Sequence, residues 1–352
     1  MRRLRHLAAA SLTAMTIAAG LPLASANAAQ ELHLYNWTIY IDPAVVDDFQ
    51  KESGIKVTLD NYGTNEEMLA KVQAGADGYD IVFPSVFMQD IMSQLNLLGN
   101  PGLKGIDGYN NLDQKYFIAK SDPQHDICMP YNWGTTGLIY NKALTKGQAV
   151  DSWKVIFEPP ETLRGKIAVL DDVRETIGAA LVYNGFSFNS TDPKELAKAR
   201  DTIAKAKPYW AAMLTDGIGD KVINGDFAVA QWWSGSAAQT VASKPDAVGY
   251  VIPKEGANGF QEQMCMLAKA PNVASAKAFF SYMMRPDVAA KNTNWLHGGT
   301  TNKAALTMVN PALRSDPNLY PSDEVRQRLH LVQDLGDKIR LYDAVWTKIK
   351  AE

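Results

Sequence analysis

Between residues 31 and 85 the chain alternates two hydrophobic rhythms. HLYNW and IKVTLDNY are short runs of strand character, and YDIVFPS is nearly continuous in apolar residues, as suits a parallel strand covered on both faces. Between the first two, Val45, Val46 and Phe49 recur at helical spacing from Pro43 to Ser53. Asp42 is placed to cap that helix, Pro43 to open it and Gly54 to stop it. Thr64 and Glu67 have the spacing of a capping box for a second helix, which carries Met68, Leu69 and Val72 and ends at Gly75. This βαβαβ order predicts a doubly wound α/β lobe. A second lobe is expected after MPYNWGTTGLIYN. There GKIAVLDD and DFAVAQWW read as buried strands, and helices are expected at about 174–183, at 194–206 and over SAKAFFSYMM. The tail from Ser322 to Ile349 reads as helical. The chain has no internal repeat, low-complexity tract or long linker, which fits two lobes joined by strands that cross between them.

The turn after the first strand, LYNWTIYIDP, holds Trp37 and Tyr40 where glycine, serine or asparagine would turn the chain at less cost. In an open parallel sheet, ligands bind beyond the carboxyl ends of the strands. Those ends carry Trp37-Thr38-Ile39-Tyr40, Pro84-Ser85-Val86-Phe87, Asp171-Asp172-Val173-Arg174-Glu175 and Trp233-Ser234-Gly235-Ser236. The set is rich in aromatics, hydroxyls and carboxylates, and Arg174 is its one base. Aromatic faces attract ammonium groups and cover methylene chains, and carboxylates pair with ammonium ends, so the set suits an organic cation with an apolar body. Each residue also has a purely structural role open to it. Trp37 can serve as core under the first helix, and Asp172 and Glu175 as cap and first-turn acid of another. Trp232 and Trp233 point to opposite faces of a strand, so only one can face a cleft.

The first 28 residues have three arginines, an apolar run and small residues at Ala24, Ala26 and Ala28, the pattern of a secretory leader cleaved after Ala28 or Ala26. No cysteine follows the run, so no lipid anchor is expected, and no later run is long enough to span a bilayer. Without Arg2, Arg3 and Arg5 the formal charge of −3 becomes −6, with 32 basic residues against 38 acidic. That balance disfavours a nucleic-acid partner. The histidines are not spaced as metal ligands, and there is no zinc ribbon, phosphate-binding loop, dinucleotide fingerprint or nucleophile elbow. No metal or cofactor is expected, and an enzyme is disfavoured. Cys128 and Cys265 lie in separate apolar runs and are read as two buried thiols, with a bridge between them as the alternative.

From about Leu34 onward the chain resembles the periplasmic polyamine-binding proteins, the spermidine- and putrescine-binding components of ABC importers. The resemblance rests on LYNWTIYI, SGIKVTLDNYGTNEEMLAKVQAG, YDIVFPS, MPYNWGTTGLIYN, LDDVRETIGAAL, VIPKEGA, MMRPDVA and the Asn302-Lys303 segment, in that order. It implies a type II periplasmic-binding-protein fold, two α/β lobes joined by a hinge crossed twice. Lobe 1 would be 29–133 plus 258–304, and lobe 2 would be 134–257 plus 305–352. It implies a monomer that binds a polyamine in the cleft and hands it to the permease subunits of an ABC importer, with no chemistry on the ligand. By position, Trp37, Tyr40, Trp233 and Phe260 would box the methylene chain. Thr38, Ser85, Ser236 and Gln333 would make polar contacts, and Asp172, Glu175 and Glu262 would meet the ammonium groups. Phe87 joins the set from the strand-end reading. Two positions depart from the family pattern. Ile39 stands where an acid is usual, and Gly298 where a tyrosine is usual, which is expected to leave extra room. A ligand-loaded sensor for a membrane receptor, and a carrier of a mono-amine such as an ω-amino acid, are alternatives with the same fold.

Overall fold

In the computed structural model, which describes residues 30–75 and 78–351, the first lobe begins as its pattern predicts. The leader read over residues 1–28 lies outside the described residues. Strands β1 (Glu31–Trp37) and β2 (Lys56–Tyr62) run parallel, and β3 (Ile81–Val82) lies parallel on the other side of β1. The helix Pro43–Ser53 separates β1 from β2, and the Asp42 carboxylate accepts from the Ala44 amide at its start. At the next helix, Asn65–Gln73, Thr64 accepts from the Glu67 amide, but the Glu67 carboxylate reaches back one residue further than expected, to the Gly63 amide.

The remaining strands are β4 (Cys128–Asn141), β5 (Ile167–Val169), β6 (Ala212–Met213), β7 (Val229–Trp233), β8 (Val248–Val251), β9 (Ala257–Met266), β10 (Gly299–Thr300) and β11 (Leu329–His330). The main path of the sheet is β2-β1-β3-β9-β4-β7-β5-β6. Its outer parts are parallel, β1 with β2 and β3 on one side and β5 with β6 and β7 on the other. The two long strands between them are antiparallel. β4 pairs with β9 from Cys128 to Thr135, then takes β7 and β8 as partners from Thr136 onward. One strand therefore serves both halves of the molecule. Separate apolar cores flank that exchange. Leu32, Leu34, Phe49, Phe83, Phe279 and Phe280 lie in one, and Trp153, Ile167, Leu181, Val229 and Tyr342 in the other.

Two expectations are corrected here. The tail is not wholly helical. Leu329–His330 forms β11, parallel to Ala257–Asn258 of β9, before the helix Ile339–Ala351. Its local sequence lacks the strand signal because the strand is two residues long and is held by a partner about seventy positions away. The cysteines are not separate thiols. Cys128 and Cys265 are directly opposed in the β4–β9 register and form a disulfide.

The turn after β1 carries strain. Ile39 has φ +53°, in the left-handed region, and is 72% exposed. A β-branched residue is an outlier there, and the conformation costs about 1–2 kcal/mol relative to ordinary backbone. Asparagine tolerates that region, and so exposed a side chain gives up little burial. Ile39→Asn is therefore expected to raise unfolding stability by about 1 kcal/mol. A shift of the urea midpoint to higher concentration at unchanged m-value would show it; a lower midpoint would refute the strain argument.

Candidate functional site

Two buried carboxyl groups organise the region where β4 changes partners. Glu262 projects from β9, where it stands opposite Asn132 of β4 and forms an isolated bridge with Ser85. Both of its oxygens lie 3.0 Å from the Ser85 hydroxyl. That hydroxyl accepts from the Asn65 side-chain amide at 2.9 Å, which leaves its proton free to donate to Glu262. Burial pushes the Glu262 carboxyl up to about 8, against the smaller opposing effects of hydrogen bonds from Ser85 and Trp37. Trp37 lies at the same end of β1. Its ring centroid is 4.7 Å from that of Tyr62, and its indole N–H donates to the Phe83 carbonyl at 2.7 Å. Tyr40 accepts from the Asn132 side chain at 2.7 Å, while its backbone carbonyl accepts from the Tyr131 hydroxyl.

Glu175 is the second carboxyl, in the first turn of the helix Val173–Tyr183. One oxygen accepts from Thr136 at 2.9 Å, from Asn258 at 2.8 Å and from the Trp233 indole at 3.4 Å. The other is buried with no hydrogen-bond partner among the described residues. Burial and then the charge of Asp172 raise this carboxyl to about 7. Asp172 caps the helix by accepting from the Arg174 and Glu175 amides, and burial raises its pKa as well. Arg174, the single base of the set, is turned away. Its guanidinium donates to the Gln333 carbonyl and to Asn189, and stands 5.0 Å from the centre of the Tyr342 ring. Among the described residues neither Glu175 nor Glu262 forms an ion pair.

The other residues singled out in the sequence are placed as follows. Phe260 is partly buried and lies across Gly134, where an added Cβ would come within 2.5 Å of its ring. Ser236 is partly buried in the first turn of the helix that follows β7. Thr38 is exposed beside Ile39, and Phe87 is drawn into the apolar cluster of Tyr35, Tyr62 and Met68. Gln333 is exposed and engages Arg174 and Asn189 through its backbone. Trp232 packs toward Gly219 on the far side of its strand from the Trp233 contact with Glu175. The room expected at Gly298 is absent. A Cβ there would come within 2.3 Å of the Asn132 side chain, which fills the space a larger residue would need. Asn65, Asn132, Thr136 and Asn258, the donors around Tyr40 and the two carboxyl groups, were not singled out from the sequence. Asn132 and Thr136 stand in MPYNWGTTGLIYN, whose polar residues at buried strand positions were the available signal.

Residues 44–321 match the bacterial extracellular solute-binding protein family. The chain belongs to this family. It is 35% identical over 364 residues to the putrescine-binding periplasmic protein SpuD of Pseudomonas aeruginosa, covering 97% of this chain and 98% of that protein. It is 32% identical over 349 residues to the spermidine/putrescine-binding periplasmic protein of Escherichia coli, covering 99% and 98%. The spermidine/putrescine ABC transporter substrate-binding protein PotD of Streptococcus pneumoniae superimposes with a TM-score of 0.80 at 29% identity, covering 92% of this chain and 99% of that one. The architecture is thus the type II periplasmic-binding-protein fold, with β4 and β9 as the strands shared by its two halves. Among the described residues no helix is long and apolar enough to cross a membrane.

Proposed function

We propose that this solute-binding protein captures a short polyamine, an organic cation with two ammonium ends of the putrescine or spermidine type, in the periplasm and delivers it as a monomer to the permease of an ABC importer. The observation that carries the reading is the pair of buried carboxyl groups without cationic partners, Glu262 on one side of the strand exchange and Glu175 on the other. Trp37, Tyr40, Trp233 and Phe260 supply faces for the carbon chain between two such anchors. Ser85, Thr38, Ser236 and Gln333 are the polar complement, with Asp172 beside Glu175 and Phe87 behind Ser85. The two relatives above are named for putrescine or spermidine binding, which supports the same class. The bodies 29–133 plus 258–304 and 134–257 plus 305–352 close over the ligand about β4 and β9. The leader over 1–28 directs export and is removed.

A thermal-shift screen against diamines, triamines, agmatine and ω-amino acids tests this. A ligand of the cleft stabilises the fold by about 2.7 kcal/mol at a hundredfold excess over its dissociation constant. Diamines or triamines are expected to give the largest shifts. Stabilisation by ω-amino acids alone, or by no amine, would overturn the assignment.

A further inference from the structure

We propose that the cleft exchanges protons for its ligand: at neutral pH and below, an ammonium end that enters displaces a proton from Glu262 or Glu175. This rests on the cation-binding reading of the cleft and deepens it, because it makes ionisation of Glu262 and Glu175 a consequence of the arriving cation.

The geometry of each carboxyl group supports it. Glu262 is buried, with the Ser85 hydroxyl equally near both oxygens and the Trp37 indole as its other donor, and no cation beside it, so the two donors only partly offset the burial of an anion. The ionisable groups facing it are Tyr40 from the turn after β1 and Tyr62 from β2, both held neutral by burial. Glu175 is buried with one oxygen fully donated to and the other without a partner, the asymmetry expected of a carboxylic acid whose proton sits on the bare oxygen. It faces Asp172, whose negative charge opposes its ionisation, and Tyr250 of β8, which is neutral. Arg174 forms no ion pair with it: its two terminal nitrogens donate to Gln333 and Asn189, and its Nε is buried without a partner among the described residues. With the two carboxyl groups at about 7 and about 8, both carry a large protonated fraction at neutral pH. The exchange balances simply: a carboxylic acid releases its proton to solvent, and the carboxylate accepts N–H hydrogen bonds from an ammonium that arrives already protonated.

Calorimetry with 1,4-diaminobutane in two buffers of different ionisation enthalpy reads the proton count. At pH 7 the release is expected to be about one to two protons per ligand, falling below about 0.5 at pH 8.5. 1-Aminobutane is expected to release no more than about one. The diamine affinity is expected to fall by roughly five-hundredfold from pH 8 to pH 6. Glu262→Gln should bind more weakly and remove close to one proton from the count. Diamine binding without proton release at pH 7, or with an affinity flat from pH 6 to 8, overturns the inference and leaves the function standing. Absence of binding by any amine at pH 8 overturns both.

Discussion

Glu262→Gln is expected to make the empty protein more stable and the binding protein worse. A carboxyl whose pKa rises from 4.5 to about 8 on folding holds its proton more tightly in the native state than in the unfolded chain. The native state then binds more protons, so stability is fully present below pH 4.5 and is lost as pH rises toward about 8. Glu175 adds the same tendency between 4.5 and about 7. Glutamine keeps the shape and accepts from Ser85, but it has no charge to desolvate. At pH 8 the variant is therefore expected to gain roughly 3–5 kcal/mol of unfolding stability, and at pH 5 less than about 1 kcal/mol. Its affinity for a diamine should fall about a hundredfold or more, because a charge-assisted hydrogen bond is replaced by a neutral one. Urea unfolding at both pH values, without and with 1,4-diaminobutane, checks both halves. A variant no more stable than the parent at pH 8 would show that Glu262 is comfortably ionised in the empty cleft.

Trp37→Ala and Trp233→Ala are expected to weaken diamine binding by about 2–4 kcal/mol each, the range of buried aromatic anchors. The structural costs differ. Trp37 packs on Tyr62 and donates to the Phe83 carbonyl, so its loss should also lower stability by about 2 kcal/mol. That carbonyl keeps a second donor, the Tyr62 hydroxyl at 2.6 Å. Trp37→Phe should accordingly retain most of the stability and much of the affinity, which separates the aromatic face from the indole N–H. Trp233→Ala removes a donor to Glu175, which should push that carboxyl further up and make binding more pH-dependent. Calorimetry and melting curves on the three variants decide the matter. Parental affinity in both alanine variants would remove the aromatics from the site.

Local grammar carried most of the first lobe. Asp42, Pro43 and Gly54 mark a helix whose limits the structure reproduces, because capping is decided within a few residues. The features that were not legible depend on long-range company. Glu175 draws its donors from Thr136 and Asn258, 39 and 83 positions away, and each of those residues reads locally as a polar interruption in a strand. The disulfide needed the β4–β9 register, which no composition reveals. β11 needed β9 beside it. Gly298 was misjudged for the same reason: a missing side chain means room only if no neighbour fills it, and Asn132 does. Ile39 stood out only because the family usually has an acid there; its left-handed backbone is a separate feature that the structure adds.

The Cys128–Cys265 bond closes a ring around 137 positions of sequence, and that ring contains the whole stretch from Gly134 to Ala257. In the chain-entropy picture such a closure favours the folded state by about 5 kcal/mol. Both sulfurs are buried, so a reductant reaches them only when the surrounding strands open. A protease that nicks an exposed loop anywhere inside the ring severs the backbone without freeing either piece. The fragments stay covalently paired, with β4 and β9 still held in register. For this solute-binding protein, one cut is then an injury the molecule can carry.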